Sequence, residues 1–280
     1  MTMTFSELEK DVCRALEEAN IENASAEAVN FIIEVLGFSR SSYALKKISD
    51  AVPESDEMLK IEQALPRRCA HEPLQYITGK AYFRDLELEV NSDVLIPRFE
   101  TELLVDTVLE NAQGKRSLLD IGTGSGAIAI SCAYEAPHLQ VTAVDISPPA
   151  LRTARRNAEK YRISNISFKE SDLFGAVPEK FDIITANLPY VTNEEYSQLQ
   201  SEVRDYEPRL ALTAEQNGLE LIYNCCDELD RHLMPQGFAI FEMSPDQTPS
   251  VKEYLEKLGF SSYIVEDYTH RPRFVCARKA

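Results

Sequence analysis

The sequence predicts an α/β protein. It is expected to hold a seven-stranded, mostly parallel sheet with an antiparallel last strand, preceded by a small bundle of helices. Three observations predict this. From Ser117 onward come seven strand-sized apolar runs, at Ser117–Ile121, Val141–Ile146, Ile166–Phe168, Phe181–Ala186, Phe238–Glu242, Ser262–Val265 and Phe274–Ala277. Helix-length segments separate most of them, and such alternation makes parallel strands covered by crossover helices. Only a short loop joins the last two runs, too little chain for a crossover helix, so the final strand must turn back. The first third of the chain instead follows a helical period.

Within that first third, Phe5 to Ile21 places Leu8, Val12, Ala15, Leu16 and Ala19 along one helical face. Ser25 is positioned to cap a second helix reaching Phe38, with Val29, Ile32, Ile33 and Leu36 on its apolar side. Asn23, Ser39 and the Pro53-Glu54-Ser55-Asp56 cluster read as breakers, and a third helix is expected over Asp56 to Cys69. From Pro73 the period shortens. Leu74 to Phe83 and Leu86 to Val90 are expected to be the strands of a hairpin turned at Arg84-Asp85. Pro97-Arg98-Phe99-Glu100-Thr101-Glu102 starts extended, and its acidic residues open a helix running to Ala112. The expected organisation is a helical domain over 1–72, a linker with a β-hairpin over 73–97, and a sheet domain over 98–280.

Composition narrows the function. The chain has 29 Lys and Arg against 46 Asp and Glu, a formal net charge of -17. Phosphate backbones repel so acidic a chain, so direct binding to nucleic acid is not expected. The longest apolar stretches are strand-sized, which excludes a membrane-spanning helix. The opening residues lack the basic and apolar regions of a secretion signal. Six cysteines (Cys13, Cys69, Cys132, Cys225, Cys226 and Cys276) show no C-x-x-C spacing, and only four histidines are present. No metal site is expected, and the cysteines read as reduced packing residues of a cytoplasmic protein.

The strongest local signal is Leu118-Leu119-Asp120-Ile121-Gly122-Thr123-Gly124-Ser125-Gly126. The whole chain has only 10 glycines, so three alternating in one strand-to-helix turn are a concentration. Glycine lets a backbone approach a ligand where a Cβ would collide, and ligands of open α/β sheets bind at such strand ends. Two cofactor classes fit. Gly122-x-Gly124-x-x-Ala127, with Asp145 ending the next strand, satisfies a dinucleotide fingerprint. It equally fits a methyl-donor turn with Asp145 on the ribose hydroxyls. Asp120 favours the second reading, because an acid beside a pyrophosphate is repelled and one near the ammonium of S-adenosylmethionine is attracted.

Asn187-Leu188-Pro189-Tyr190 closes the fourth run. An amide or aromatic amine is a poor nucleophile because its lone pair is delocalised. Two acceptors holding its two N–H groups can turn that lone pair toward a methyl group. The Asn187 side-chain oxygen is one such acceptor, and the Leu188 carbonyl, aimed by Pro189, is the other. Tyr190 offers a face on which a planar group can stack.

On these segments the sequence resembles the release-factor glutamine methyltransferases (the HemK/PrmC group) over nearly its whole length. Glu72-Pro73-Leu74-Gln75-Tyr76-Ile77-Thr78-Gly79 is similar to the family's linker motif. Val94-Leu95-Ile96-Pro97-Arg98-Phe99-Glu100-Thr101-Glu102 is similar to the motif preceding its catalytic domain. Arg204 to Leu212, with Gly218 beyond, matches a further segment. The resemblance implies a Rossmann-like class I methyltransferase fold. It also implies S-adenosylmethionine as cofactor, and methylation of the glutamine side-chain amide in the Gly-Gly-Gln loop of bacterial peptide chain release factors. Carried over by residue, Gly122, Thr123, Gly124, Ser125, Gly126, Asp145, Asp172, Leu173 and Asn187 would hold the donor. Asn187, Pro189 and Tyr190 would serve the transfer. Leu188 and Arg98 would complete the substrate site with them, and Thr101 would line it. In such enzymes an acid at Asp172 meets the adenine amino group; as a plain structural feature Ser171-Asp172 would be a helix N-cap, and Pro97–Glu102 a capped helix start. The helical bundle would help to recognise the release factor, and the protein is expected to be a monomer.

The sequence departs from the family pattern at Leu188 and Phe99, each replacing a usual proline, and at Glu242-Met243-Ser244, which lacks a glycine. Asn-Leu-Pro-Tyr is also typical of ribosomal RNA adenine dimethyltransferases. The alternatives are therefore an N6-adenine methyltransferase acting on nucleic acid and a non-catalytic binding protein keeping the fold. Against the first stand the acidic charge, the helical bundle placed before the sheet domain, and the linker and Arg204–Leu212 motifs.

Overall fold

The computed structural model describes residues 3–279, with only the backbone of Gln216. Met1, Thr2 and Ala280, the outer ends of the two expected domains, lie outside the described residues. The chain divides into two compact units, one formed by residues 1–79 with 200–206 and the other by 80–199 with 207–280.

The first unit holds helices α1 (Phe5–Glu18), α2 (Ala24–Leu36), α3 (Arg40–Ile48), α4 (Ser55–Cys69) and α5 (Leu74–Thr78). Thr4 and Glu7 start α1 by exchanging side-chain and backbone hydrogen bonds, which satisfies two otherwise orphaned N–H groups. Phe5, Leu8, Val12 and Leu16 pack with Ala28, Phe31 and Ile32 of α2, Tyr43 of α3 and Ile61 of α4. The fully buried Val12 and Leu16 are two of the residues that the helical period put on this face. The guanidinium of Arg68, 4% exposed, ties the segment 200–206 to this bundle. It lies 2.7 Å from both Glu27 and Glu202, and the Tyr206 hydroxyl donates to the Ala70 carbonyl at 2.6 Å.

Four expectations change here. The cap position of α2 is Asn23, in a left-handed conformation and without a side-chain cap, rather than Ser25. Ser39 does not merely break a helix. It begins α3, its hydroxyl accepting the Ser42 N–H at 3.0 Å. That helix leaves no apolar stripe to read, because Tyr43 alone is buried on it. Leu74 to Thr78 is a one-turn helix entered from Pro73 rather than the start of a strand. Consequently the stretch 73–97 is not one linker: its helical turn groups with the first unit and its hairpin with the second.

The second unit opens with the hairpin β1 (Lys80–Phe83) and β2 (Leu86–Glu89), turned at Arg84-Asp85 as expected, with Arg84 at φ 52°. Then follow α6 (Glu102–Asn111), β3 (Ser117–Ile121), α7 (Ala127–Glu135), β4 (Gln140–Asp145), α8 (Pro148–Lys160), β5 (Ile166–Glu170) and β6 (Phe181–Asn187). Short helices α9 (Asn193–Tyr196), α10 (Ser201–Tyr206, grouped with the first unit) and α11 (Glu215–Gly218) lead to α12 (Glu220–His232) and β7 (Leu233–Glu242). The chain ends with α13 (Thr248–Lys257), β8 (Ser261–Glu266) and β9 (Pro272–Arg278).

The seven strands β3 to β9 form one sheet in the order β5-β4-β3-β6-β7-β9-β8. The five strands β3 to β7 pair in parallel, and β9 runs antiparallel to both its neighbours, as the short last loop requires. Helices cover both faces, so a central strand carries apolar residues on both sides: Leu118 packs into one core, Leu119 and Ile121 into the other. From β3 the chain adds strands toward one edge, and from β6 toward the other. A crevice therefore opens at the adjacent carboxyl ends of β3 and β6, where ligands of open α/β sheets bind. All six cysteines are free, four of them buried. No helix of the described residues is long and apolar enough to cross a membrane.

Candidate active site

A cavity of about 430 Å³ occupies that crevice, a size suited to a nucleoside-sized ligand. The turn after β3 forms its floor. The N–H groups of Gly122 and Thr123 both donate to the Val144 carbonyl, at 2.9 and 3.0 Å, which folds the turn over the end of β4. Gly124 has φ 56°, and a Cβ there would meet nothing within 4 Å, because the space above it is the cavity. The turn then enters α7, whose first residues Ala127 and Ile128 line the cavity with its N-terminal N–H end.

Asp145 lies across from the turn. One carboxylate oxygen accepts the Gly124 N–H at 2.8 Å, and the other accepts the Ser147 N–H at 2.9 Å. Each oxygen keeps a lone pair, so the residue can still accept two hydroxyl donors from a ligand in the cavity. Burial raises the Asp145 pKa, and the backbone donors of Ser147 and Gly124 pull it back. Exposed Ile146 lines the same wall. Ser171, Asp172 and Leu173 line the next one. Here the helix-cap alternative fails. The Ser171 hydroxyl donates to the Leu173 carbonyl at 2.8 Å and accepts the Ala176 N–H at 2.9 Å, and Leu173 takes φ 45°, so the segment is a tight turn and not a helix start. A glycine floor with room above it, a dipole end and spare carboxylate acceptors fit an adenosyl amino acid.

At the end of β6, Asn187, Leu188 and Pro189 line the cavity beside the turn. The Asn187 side-chain nitrogen points to the Thr101 hydroxyl at a long 3.5 Å. Leu188 is 4% exposed. A Cβ on Gly122 would come within 3.0 Å of Leu188 Cδ2, so leucine at this position packs directly on the first glycine of the turn. Two expected site residues, Gly126 and Tyr190, are not among the residues lining the cavity. Gly126 instead faces Ile130 and Ala154, where a Cβ would collide. Tyr190 also turns away. Its ring packs against the second core, and its hydroxyl faces Glu242 and Arg273, with burial pushing its pKa up to about 12.

Arg98 and Thr101 also line the cavity. Thr101 precedes α6 without a side-chain cap, so its hydroxyl serves the site and not the helix end. Arg98 is already engaged. Its guanidinium donates at 2.6 Å to Glu207, whose carboxylate also accepts the Ile96 N–H at 3.2 Å. Sequence reasoning missed Glu207 as an individual; it holds the chain that supplies Pro208, Leu210 and Ala211 to the cavity wall. Asp120 is fully buried beneath the turn and does not line the cavity. It accepts the Thr185 hydroxyl at 2.7 Å, its other oxygen has no hydrogen-bond partner among the described residues, and burial pushes its pKa up to about 6. It therefore makes no direct contact with the cavity, and the expected approach of a ligand ammonium to its carboxylate is not available at the cavity surface.

Asn157 is a second residue that the sequence did not single out. It is fully buried on α8, accepts the Glu89 N–H at 2.6 Å, and donates to the carbonyls of Glu89 at 3.0 Å and Ser125 at 2.9 Å. One side chain thereby joins the hairpin to the cofactor turn. Asn157→Leu is expected to cost about 2–3 kcal/mol, because it strands three buried or partly buried backbone groups. Urea unfolding measures this, and a loss below about 0.5 kcal/mol, the range of neutral surface changes, contradicts it.

Comparison with known proteins agrees with this geometry. The Methyltransferase small domain matches residues 98–205, and the PrmC N-terminal domain matches residues 7–79. A methyltransferase structure from Pyrococcus furiosus superposes with a TM-score of 0.55 at 20% identity, over 81% of this chain and all of that one, and so shares the fold. The protein is an S-adenosylmethionine-dependent methyltransferase of class I fold.

Its relatives narrow the class. The release factor glutamine methyltransferase of Streptococcus pneumoniae is 37% identical over 92% of this chain and 90% of its own. That of Vibrio cholerae is 34% identical over 98% and 96%. The chain belongs to the release factor glutamine methyltransferase family.

Proposed function

We propose that this chain methylates the side-chain amide nitrogen of the glutamine in the Gly-Gly-Gln loop of bacterial peptide chain release factors. The observation that carries the reading is Asn187, whose amide is set at the cavity edge beside the glycine turn with its nitrogen directed away to Thr101. When bound, S-adenosylmethionine supplies an electrophilic methyl group. Gly122 to Ser125 and Asp145 would hold it, with Asp172 and Leu173 lining the next wall.

The chain's own work is alignment. The Asn187 Oδ1 accepts one N–H of the substrate amide, and the carbonyl of Leu188, the next residue, accepts the other. Gripped at both hydrogens, the nitrogen presents its lone pair along the transfer direction, and on gaining the methyl group it gives up one of those two protons to solvent. Positioning and charge complementarity, not a strong base, then lower the barrier. Pro189 keeps Leu188 extended. The Arg98–Glu207 pair fixes the wall above, and Tyr190 supports the site from beneath rather than stacking on the substrate. The helical unit, which matches the PrmC N-terminal domain, serves recognition of the release factor. The enzyme works as a cytoplasmic monomer without contacting nucleic acid itself.

The test offers labelled methyl donor with release factor, ribosomal RNA or genomic DNA. The label is expected on the release factor alone. Label on either nucleic acid shows an adenine methyltransferase, and donor binding without any transfer shows a binding protein.

A further inference from the structure

Glu242, at the end of β7, has no part in the chemistry described so far. It stands opposite Asn187 in the parallel register of β6 and β7, so the two side chains rise from the same face of the sheet. Glu242 is 2% exposed, and its Oε2 has no hydrogen-bond partner among the described residues. A buried carboxylate without full hydrogen bonding is costly, and packing alone would be served as well by an aliphatic side chain. Thr101 and Glu100 face this carboxyl from the entry to α6, Asn187 from β6, Tyr190 from just beyond it, and Arg273 from β9. The Arg273 guanidinium is shared with Asp267, 3.5 Å away. Thr101, itself 4% exposed, has the Asn187 side-chain nitrogen 3.5 Å from its hydroxyl.

We infer that Glu242 is a positioning residue for methyl transfer, holding the Asn187 amide nitrogen, together with Thr101, so that Asn187 Oδ1 faces the substrate. This rests on the role proposed above for Asn187. An asparagine amide without such a restraint turns over readily and would oppose N–H donors to the N–H groups of the substrate. A carboxylate prevents this because it only accepts hydrogen bonds. A protonated carboxyl would do the reverse, offering an O–H that competes for Oδ1. Burial pushes the Glu242 carboxyl up to about 7, so the aligning form prevails above that pH and is lost below it.

The decisive variant is Glu242→Gln, which keeps the shape and removes the ionisation. Its kcat is expected to fall about ten- to a hundredfold, the scale on which small misplacements act. The Kd for S-adenosylmethionine should stay within about twofold, since Glu242 is not in the cavity wall. The wild-type kcat should rise with pH through the neutral range, and this acid limb should vanish in Glu242→Gln. In the double variant with Asn187→Ala, the second change should cost nothing further. Wild-type kcat and pH profile in Glu242→Gln, or fully additive losses in the double variant, overturn the inference. Should the variant fail to fold, the wild-type profile alone decides, and a flat kcat across neutral pH overturns it. Unimpaired transfer by Asn187→Ala instead sinks the reading of the site itself, which separates the two failures.

Discussion

Asn187→Ala is expected to bind S-adenosylmethionine nearly as tightly as the wild type and to transfer its methyl group about a hundred- to a thousandfold more slowly. The first half follows from where the donor sits. In the proposed binding mode its principal contacts come from the glycine turn and from Asp145, whose hydrogen bonds to Gly124 and Ser147 involve no atom of Asn187. The second half follows from the nature of the step. An amide nitrogen becomes nucleophilic only when its lone pair is turned out of conjugation, and removing an oriented acceptor that acts in the transition state costs about this much. Calorimetry on the donor and single-turnover transfer separate the two effects. A variant that loses both together would place Asn187 in the donor site alone.

Asp145→Ala should behave in the opposite way, with donor affinity falling by about a hundredfold or more. Two hydrogen bonds from ribose hydroxyls to a charged acceptor contribute about 1.5–3 kcal/mol each. The same carboxylate also tethers Gly124 and Ser147, so the floor of the cavity loosens as its best acceptor goes. At saturating donor, transfer should recover toward the wild-type rate, because the groups that align the substrate are intact. An unchanged Kd for the donor contradicts the ribose assignment.

What was legible in the sequence was what is local. The strands around the site show as apolar runs, and the glycine turn and Asn187 each announce themselves within a few residues of a strand end. Residues whose roles arise from long-range pairing left no such mark. Glu242 matters because β7 lies beside β6, and Glu207 because it returns to Ile96 and Arg98. Asn157 matters because α8 packs on the hairpin. None of these partners is near in sequence. The missed helix α3 has the converse cause: with Tyr43 alone buried, it has no period to detect. Tyr190 shows the limit of motif reading, since four adjacent residues do not face one way. The Leu188 side chain lies on Gly122, a contact between the strand end and the turn that the sequence pattern does not display.

The methyl group is directed to a glutamine side-chain amide. The most direct measurement is fragmentation mass spectrometry of a release factor after incubation with this enzyme and labelled donor. The prediction is one methyl group on the nitrogen of the Gly-Gly-Gln glutamine side chain, absent when Asn187→Ala replaces the wild type for the same time. A methyl group on any other residue of the release factor, or an unmodified release factor beside consumed donor, would contradict it.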